Sequence, residues 1–418
     1  MNPLSALMRS PRGPAPSARV RGPLPLLGPA FVASIAYVDP GNFATNITAG
    51  SKYGYLLVWV VIVSNLMAML IQYLSAKSGI ATGRSLPELC RDHFPRPVVR
   101  GLWVQAEFVA IATDLAEVLG GALALKLLFD LPLVAGGSIT AVVAFGLLGL
   151  QSRGHRPFEV AVIGLLSVIF IGFLYSLIVG GVDTGNLLNG TIPRFEGTDS
   201  LLLATGMLGA TVMPHAIYLH GALTTGRYDI DSEPQRVALL KSQRVDVMSA
   251  MTLAGLMNLA MLVVAAQLFF GKSPTVDTIE AAHAGLDTRL GPTAALLFAL
   301  ALLASGFASS SVGTYSGQVI MQGFLRRRIP LVVRRLITLA PALVVLAVNI
   351  DPTQALVASQ VVLSFGIPFA LVPLILLTRR SDVMGRLVNG GLTTVTAALV
   401  AAIIIVMNVV LIALTLVG

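Results

Sequence analysis

Apolar stretches of about 20 residues, the length an α-helix needs to cross a bilayer, recur along this chain from near residue 25 to near residue 416. Eleven spans can be counted between polar breaks, at about 25–50, 54–80, 99–127, 132–150, 158–181, 199–225, 245–270, 291–318, 331–348, 352–377 and 391–416. Only 11% of residues are charged and 55% are hydrophobic, against roughly 25% charged in a soluble domain. Water could not solvate such a surface. The pattern therefore implies an all-α polytopic membrane protein and excludes a secreted domain, a nucleic-acid module and a cytosolic enzyme. The single cysteine, Cys90, can form neither an intrachain disulfide nor a CxxC metal site.

The basic residues orient the spans. Alternating the loops between two sides places 23 of the 28 Lys and Arg on one side and leaves only Lys52, Lys126, Arg194, Lys272 and Arg289 on the other. By the positive-inside rule the N-terminus is expected in the cytoplasm, and an odd number of spans puts the C-terminus outside. The net charge of +8 then reflects short loops facing anionic lipid and not a nucleic-acid partner. Residues 1–22 carry four Pro and four Arg and no acid, which reads as a flexible cytoplasmic arm. The apolar run that starts at Leu24 meets Asp39-Pro40-Gly41 without a cleavage site, so it is taken as the first span and not as a signal peptide. The polar loops near 182–198, 226–244 and 271–290 are each under about 20 residues, too short to fold alone. Residues 23–418 are accordingly expected to form one transmembrane domain.

Two spans carry helix breakers at mid-depth. The first reads Ala36-Tyr37-Val38-Asp39-Pro40-Gly41-Asn42 and the sixth Gly209-Ala210-Thr211-Val212-Met213-Pro214-His215. Proline removes a backbone donor and clashes with the preceding turn. The freed carbonyls are tolerated at membrane depth only where they line a cavity or bind something. A single kink at Pro214 is ordinary, but a break bearing a carboxylate and an amide is not. The two breaks open two five-span halves of opposite orientation, about 23–181 and about 199–377, with an extra helix at about 391–416. Paired broken helices in inverted halves point to a transporter's central site.

Asp39 offers an anionic oxygen there and Asn42 a neutral one, with the Ala36 and Ala210 carbonyls and the Met213 thioether beside them. Oxygen alone suits Mg²⁺ or Ca²⁺; one sulfur shifts preference toward Mn²⁺ and Fe²⁺. Methionine is frequent in this chain, and a packing role for Met213 competes with ligation, but its place directly before Pro214 favours ligation. A sodium-coupled amino-acid carrier fits less well, because Asp39 would repel a substrate carboxylate. A channel or metalloenzyme is disfavoured by the paired breaks and by the lack of a two-His-plus-carboxylate set.

The run Asp39-Pro40-Gly41-Asn42-Phe43-Ala44-Thr45-Asn46, with Met213-Pro214-His215, closely resembles the Nramp (natural resistance-associated macrophage protein) family, and its bacterial manganese importers most nearly. Gly317-Gln318-Val319-Ile320-Met321-Gln322-Gly323-Phe324 resembles that family's signature after span eight. The resemblance covers all eleven spans. It implies a LeuT-like fold of two inverted five-helix repeats plus one helix, and proton-coupled import of divalent metal. It further implies coordination by Asp39, Asn42, Met213 and the Ala36 and Ala210 carbonyls, with Gln360 joining in some conformations. The metal and the proton would be cargo and no resident cofactor is implied; beyond the lipid bilayer no obligatory protein partner is indicated. Ala216 and Gly221 depart from the residues frequent at their positions, and neither is an implied ligand. The family's magnesium-transporting branch fits less well, because its central motif departs from this Asp/Asn/Met set.

Span three carries Glu107, Asp114 and Glu117 within an arc of about 80°. Three such charges would cost roughly 8–10 kcal/mol if central, ionised and exposed to lipid, so this face must look into the bundle. Either Arg334 and Arg335, at the cytoplasmic start of span nine, compensate the acids or protons neutralise them. A proton path is favoured for Asp114 and Glu117, and the resemblance implies one along this helix; for Glu107 compensation is at least as good a reading. His215, beside the metal motif, is expected to act in proton transfer. His220 lies about 140° around the helix from it and is read as a hydrogen-bonded packing residue.

Overall fold

The computed structural model describes residues 28–151, 154–227, 233–272, 276–326, 331–348 and 350–417, and the arm expected over 1–22 lies outside them. Among the described residues all regular structure is helical. Among those residues nine helical segments, with Gly197–Thr224 counted as one, are long and apolar enough to cross a bilayer. They coincide with nine of the expected spans. The other two correspond to the interrupted segment from Pro29 to Tyr53 and to the shorter helix Leu331–Ala347.

In chain order the first segment comprises α1 (Pro29–Ser34), a 3-10 turn (Ile35–Val38) and α2 (Pro40–Tyr53). Then come α3 (Val58–Thr82), α4 (Leu86–His93), α5 (Arg96–Phe129), α6 (Leu133–Gln151), α7 (His155–Gly180) and α8 (Thr184–Asn189). The second interrupted helix is α9 (Gly197–Thr211) followed by α10 (Pro214–Thr224). The remainder is α11 (Glu233–Phe269), α12 (Ile279–Leu290), α13 (Pro292–Leu325), α14 (Leu331–Ala347), α15 (Pro352–Thr378), α16 (Ser381–Met384) and α17 (Gly391–Val417).

Two of the segments expected to be loops are largely helical. Residues 233–244 extend α11, since Val-Ala-Leu-Leu-Lys favours helix and the charges of this stretch can project beyond the apolar layer. Residues 279–290 form α12, which the Thr278 side chain starts by accepting the Ala281 N–H at 3.1 Å and Gly291 stops at φ 92°. A further short helix, α4, carries a capping box in which Ser85 and Glu88 satisfy each other's backbone donors.

Contacts between loops respect the two sides assigned from charge. Arg84 and Arg326 both pair with Asp92, Arg227 pairs with Glu159, and Lys77 donates to Asn389. On the opposite side Lys52 lies 3.8 Å from Asp199 and Lys126 lies 3.8 Å from Glu280.

The two interrupted helices run through the centre. α2 packs on α9 and α1 packs on α10, so the half before one break meets the half after the other. α15 touches both pairs, and α5 with α13 forms the most extensive helix pair behind them. Small residues set these distances: a Cβ on Gly120 would lie 2.0 Å from Pro40 Cβ, and one on Gly306 would lie 2.8 Å from Gly121 Cα. α17 packs on α15 and α9 at the periphery and exposes Leu392, Val395 and Val406.

Candidate functional site

Both breaks have the same construction. Asp39 is extended (φ −71°, ψ 170°) and Pro40 opens α2; Met213 is extended (φ −74°, ψ 123°) and Pro214 opens α10. A proline at the first helical position gives up an N–H that the helix would not have used. Counted backward, each proline also stands four residues after a proposed carbonyl ligand, Ala36 or Ala210. A regular helix would supply an N–H from that position to each carbonyl; proline has none.

Asp39 divides its carboxylate between two tasks. Oδ1 accepts the Asn42 N–H at 2.8 Å and caps α2. Oδ2 is buried and accepts no hydrogen bond among the described residues. Asn42 donates its amide to Asn258 Oδ1 at 3.1 Å, which leaves its own Oδ1 buried and likewise without a donor. Asn258 also takes the Asn46 amide at 2.7 Å and donates to the Tyr37 carbonyl at 2.7 Å. Ser305 donates to the Val38 carbonyl at 2.6 Å. Asn258 and Ser305, neither singled out from sequence, thus hold the unwound strand of the first break. An asparagine inside the apolar span of α11 was the available signal.

Gln360 on α15 reaches both breaks. A Cβ on Gly41 would lie 1.8 Å from Gln360 Nε2, and a Cβ on Gly209 would lie 2.1 Å from the Gln360 carbonyl oxygen. Its Oε1 is a third buried acceptor that takes no hydrogen bond among the described residues. Ala36 and Met213 belong to one buried cluster, and Met213, Ala210, Asn42 and Gln360 have no exposed surface while Asp39 has 1%. The structure thus brings the first break, the second break and Gln360 around one interior locus. Buried acceptors without donors are costly, and three at one place fit a cation. No cluster of three or more His, Cys, Asp or Glu with metal-binding geometry occurs among the described residues, so such a cation would meet one carboxylate and neutral donors.

The span-three acids lie on α5. Glu107 is half-buried and accepts the Trp103 indole N–H at 3.2 Å. Asp114 and Glu117 are 4% and 1% exposed. Gly313 on α13 makes room for the Glu117 carboxylate, since a Cβ there would come within 2.6 Å of Oε2. His215 Nδ1 lies 3.2 Å from Thr113 Oγ1, and Asp114 is the next residue of α5. Asp114 and His215 therefore converge behind the second break, while Glu117 lies against α13. The side chains of Arg334 and Arg335 lie outside the described residues. His220 has the packing role expected of it: Nδ1 meets Gln72 Oε1 at 2.8 Å, and Gln72 bonds to the Tyr37 hydroxyl.

Comparison with known proteins places this geometry. The family model described as natural resistance-associated macrophage protein-like matches residues 30–414. The "divalent metal cation transporter MntH" of Bacillus subtilis is 52% identical over 393 residues, covering 94% of this chain and 92% of its own. That of Deinococcus radiodurans is 53% identical over 398 residues, covering 95% and 91%. Crystal structures of the Eremococcus coleocola manganese transporter superpose with a TM-score of 0.85 at 30% identity, over 95% of this chain and 89% of that one. A nucleobase-cation-symport-1 family transporter, Mhp1, shares the fold alone, at 13% identity and a TM-score of 0.54 over 97% and 93% of the two chains.

Proposed function

Because the chain belongs to the Nramp family, whose model spans it from residue 30 to residue 414, we propose that it imports divalent transition-metal ions, Mn²⁺ and Fe²⁺, across the cell membrane with proton coupling. The named activity of its relatives supports metal transport. The observation that carries the reading in this chain is the set of buried acceptors at the breaks: Asp39 Oδ2, Asn42 Oδ1 and Gln360 Oε1. With the Ala36 and Ala210 carbonyls and the Met213 sulfur, they form the proposed coordination sphere. Sulfur in place of a further oxygen favours Mn²⁺ and Fe²⁺ over Ca²⁺ and Mg²⁺. A single carboxylate keeps binding weak enough for release.

The proposed arrangement is two inverted repeats, about 23–181 and about 199–377, with an extra helix at about 391–416. With eleven spans and the positive-inside rule, the proposed topology has the N-terminus and the arginine-rich loops in the cytoplasm and the C-terminus outside. The ligands are buried in this conformation, so metal reaches and leaves them only by alternating opening. On the arginine-rich side α1 is tethered by Asp246, which accepts the Gly28 and Ala30 N–H groups at 3.1 and 2.9 Å. Inward opening requires α1 to leave that tether. Protons are proposed to pass from Asp39 toward the cytoplasm by way of His215, Glu117 and Asp114. Glu107 lies beyond them on the same helix and is assigned to the cytoplasmic exit.

The test is Mn²⁺ uptake into proteoliposomes with internal pH recorded. Asp39→Asn preserves the cap on α2, because asparagine caps as well as aspartate, yet removes the only charge of the site. It is expected to abolish uptake and the accompanying acidification without unfolding the protein. Wild-type uptake by this variant removes the site from the mechanism.

A further inference from the structure

A lateral groove of about 550 Å³ opens between α5 and α15, away from the central site. One wall is a stripe at intervals of four residues along α5: Arg100, Val104 and Phe108. Residues so spaced share a helix face, and the stripe extends backward to Arg96, which is exposed like Arg100. Among the described residues neither arginine makes an ion pair. The opposite wall carries Val362, Phe365 and Phe369. Phe108 and Phe369 are 66% and 49% exposed. Gly366 forms the floor, where a Cβ would lie 2.4 Å from Val109 and 3.2 Å from Pro214. The groove therefore backs onto the first residue of α10.

We propose that this groove binds one anionic phospholipid from the arginine-rich leaflet, with its phosphate on Arg96 and Arg100 and an acyl chain along Val104 and Phe108. Guanidinium groups suit phosphate through paired donors. From Arg100 to Phe108 the helix descends about 12 Å, most of the roughly 15 Å depth of one leaflet's hydrocarbon. Charge at the mouth and apolar walls below match the two parts of a lipid in the order a leaflet presents them. A second copy of this chain would bring a like-charged arginine pair to the same mouth.

Native mass spectrometry of the full chain, with palmitoyl-oleoyl phosphatidylglycerol and the phosphatidylcholine of the same chains in competition, tests this. Each arginine near an anionic surface is worth about a fivefold preference. Arg96→Gln with Arg100→Gln is therefore expected to lower the preference for phosphatidylglycerol about thirtyfold. Gly101 also lines the groove, and a Cβ there meets nothing within 4 Å. Gly101→Leu is thus accommodated, and it is expected to displace bound lipid of either kind while both arginines remain. Equal retention of the two lipids by the wild type overturns the proposal. So does an undiminished preference in the arginine variant, or a dimer that Gly101→Leu dissociates.

Discussion

Adding one methyl group at Gly41 probes the central site through sterics alone. The new Cβ would lie 1.8 Å from Gln360 Nε2 and 2.2 Å from its Cδ. Ordinary contact begins near 3.5 Å, so Nε2 must retreat by about 1.7 Å. The α15 backbone is itself seated against α9, with the Gln360 carbonyl filling the space a Gly209 Cβ would take. The side chain must therefore swing away from Asp39, which it adjoins. Overpacking of this kind costs about 1–3 kcal/mol. Helix propensity acts in the opposite direction, since alanine favours helix over glycine by about 1 kcal/mol. Gly41→Ala is accordingly expected to leave the fold intact and to raise the apparent KM for Mn²⁺ by about fivefold to 150-fold. Uptake into proteoliposomes at graded Mn²⁺ measures it. Gln360→Ala removes the obstructed side chain, so the double variant is expected to be no worse than Gln360→Ala alone. A wild-type KM for Gly41→Ala, or losses that simply add, refutes the placement of Gln360 between the two breaks.

Other consequences are equally direct. Asn258→Leu withdraws the groups that orient the Asn42 and Asn46 amides and hold the Tyr37 carbonyl; Mn²⁺ affinity by isothermal calorimetry is expected to fall about 10- to 100-fold, as for other supports of metal ligands, and unchanged affinity would make Asn258 a packing residue. Asp114→Asn and Glu117→Gln are expected to reduce metal-driven acidification more than metal binding, and intact acidification in both excludes them from the proton route. Gly313→Ala, which crowds the Glu117 carboxylate, is expected to slow acidification in the same assay while Mn²⁺ binding stays within about twofold, a difference under roughly 0.5 kcal/mol. A matching loss of binding would make Gly313 part of the metal site instead.

The breaks were legible because their cause is local. Pro40 and Pro214 deny a backbone donor to specific carbonyls whatever surrounds them, and Asp39 caps the helix that Pro40 begins. The spans were legible for the same reason, since an apolar run of bilayer length admits few structures. Helix ends in polar sequence are less legible: residues 233–244 and 279–290 read as loops, although Thr278 with Glu280 carries a start signal for the second, as Ser85 with Glu88 does for α4. Asn258 and Ser305 are not legible in the sequence because their roles are tertiary. Asn258 lies 221 residues from the Tyr37 carbonyl that it supports, and Ser305 lies 267 residues from Val38. Position along the chain gives no measure of such pairings. Gln360 is legible only through family resemblance, because its reach to Gly41 depends on how α15 crosses both broken helices.

X-ray absorption at the manganese edge of the Mn²⁺-loaded protein tests the coordination most directly. One sulfur scatterer among oxygens is expected in the wild type and none in Met213→Ala, whose uptake is expected to become more sensitive to competing Ca²⁺. An all-oxygen sphere in the wild type, or a sulfur that persists in Met213→Ala, contradicts a thioether and a carboxylate sharing one ion across the two breaks.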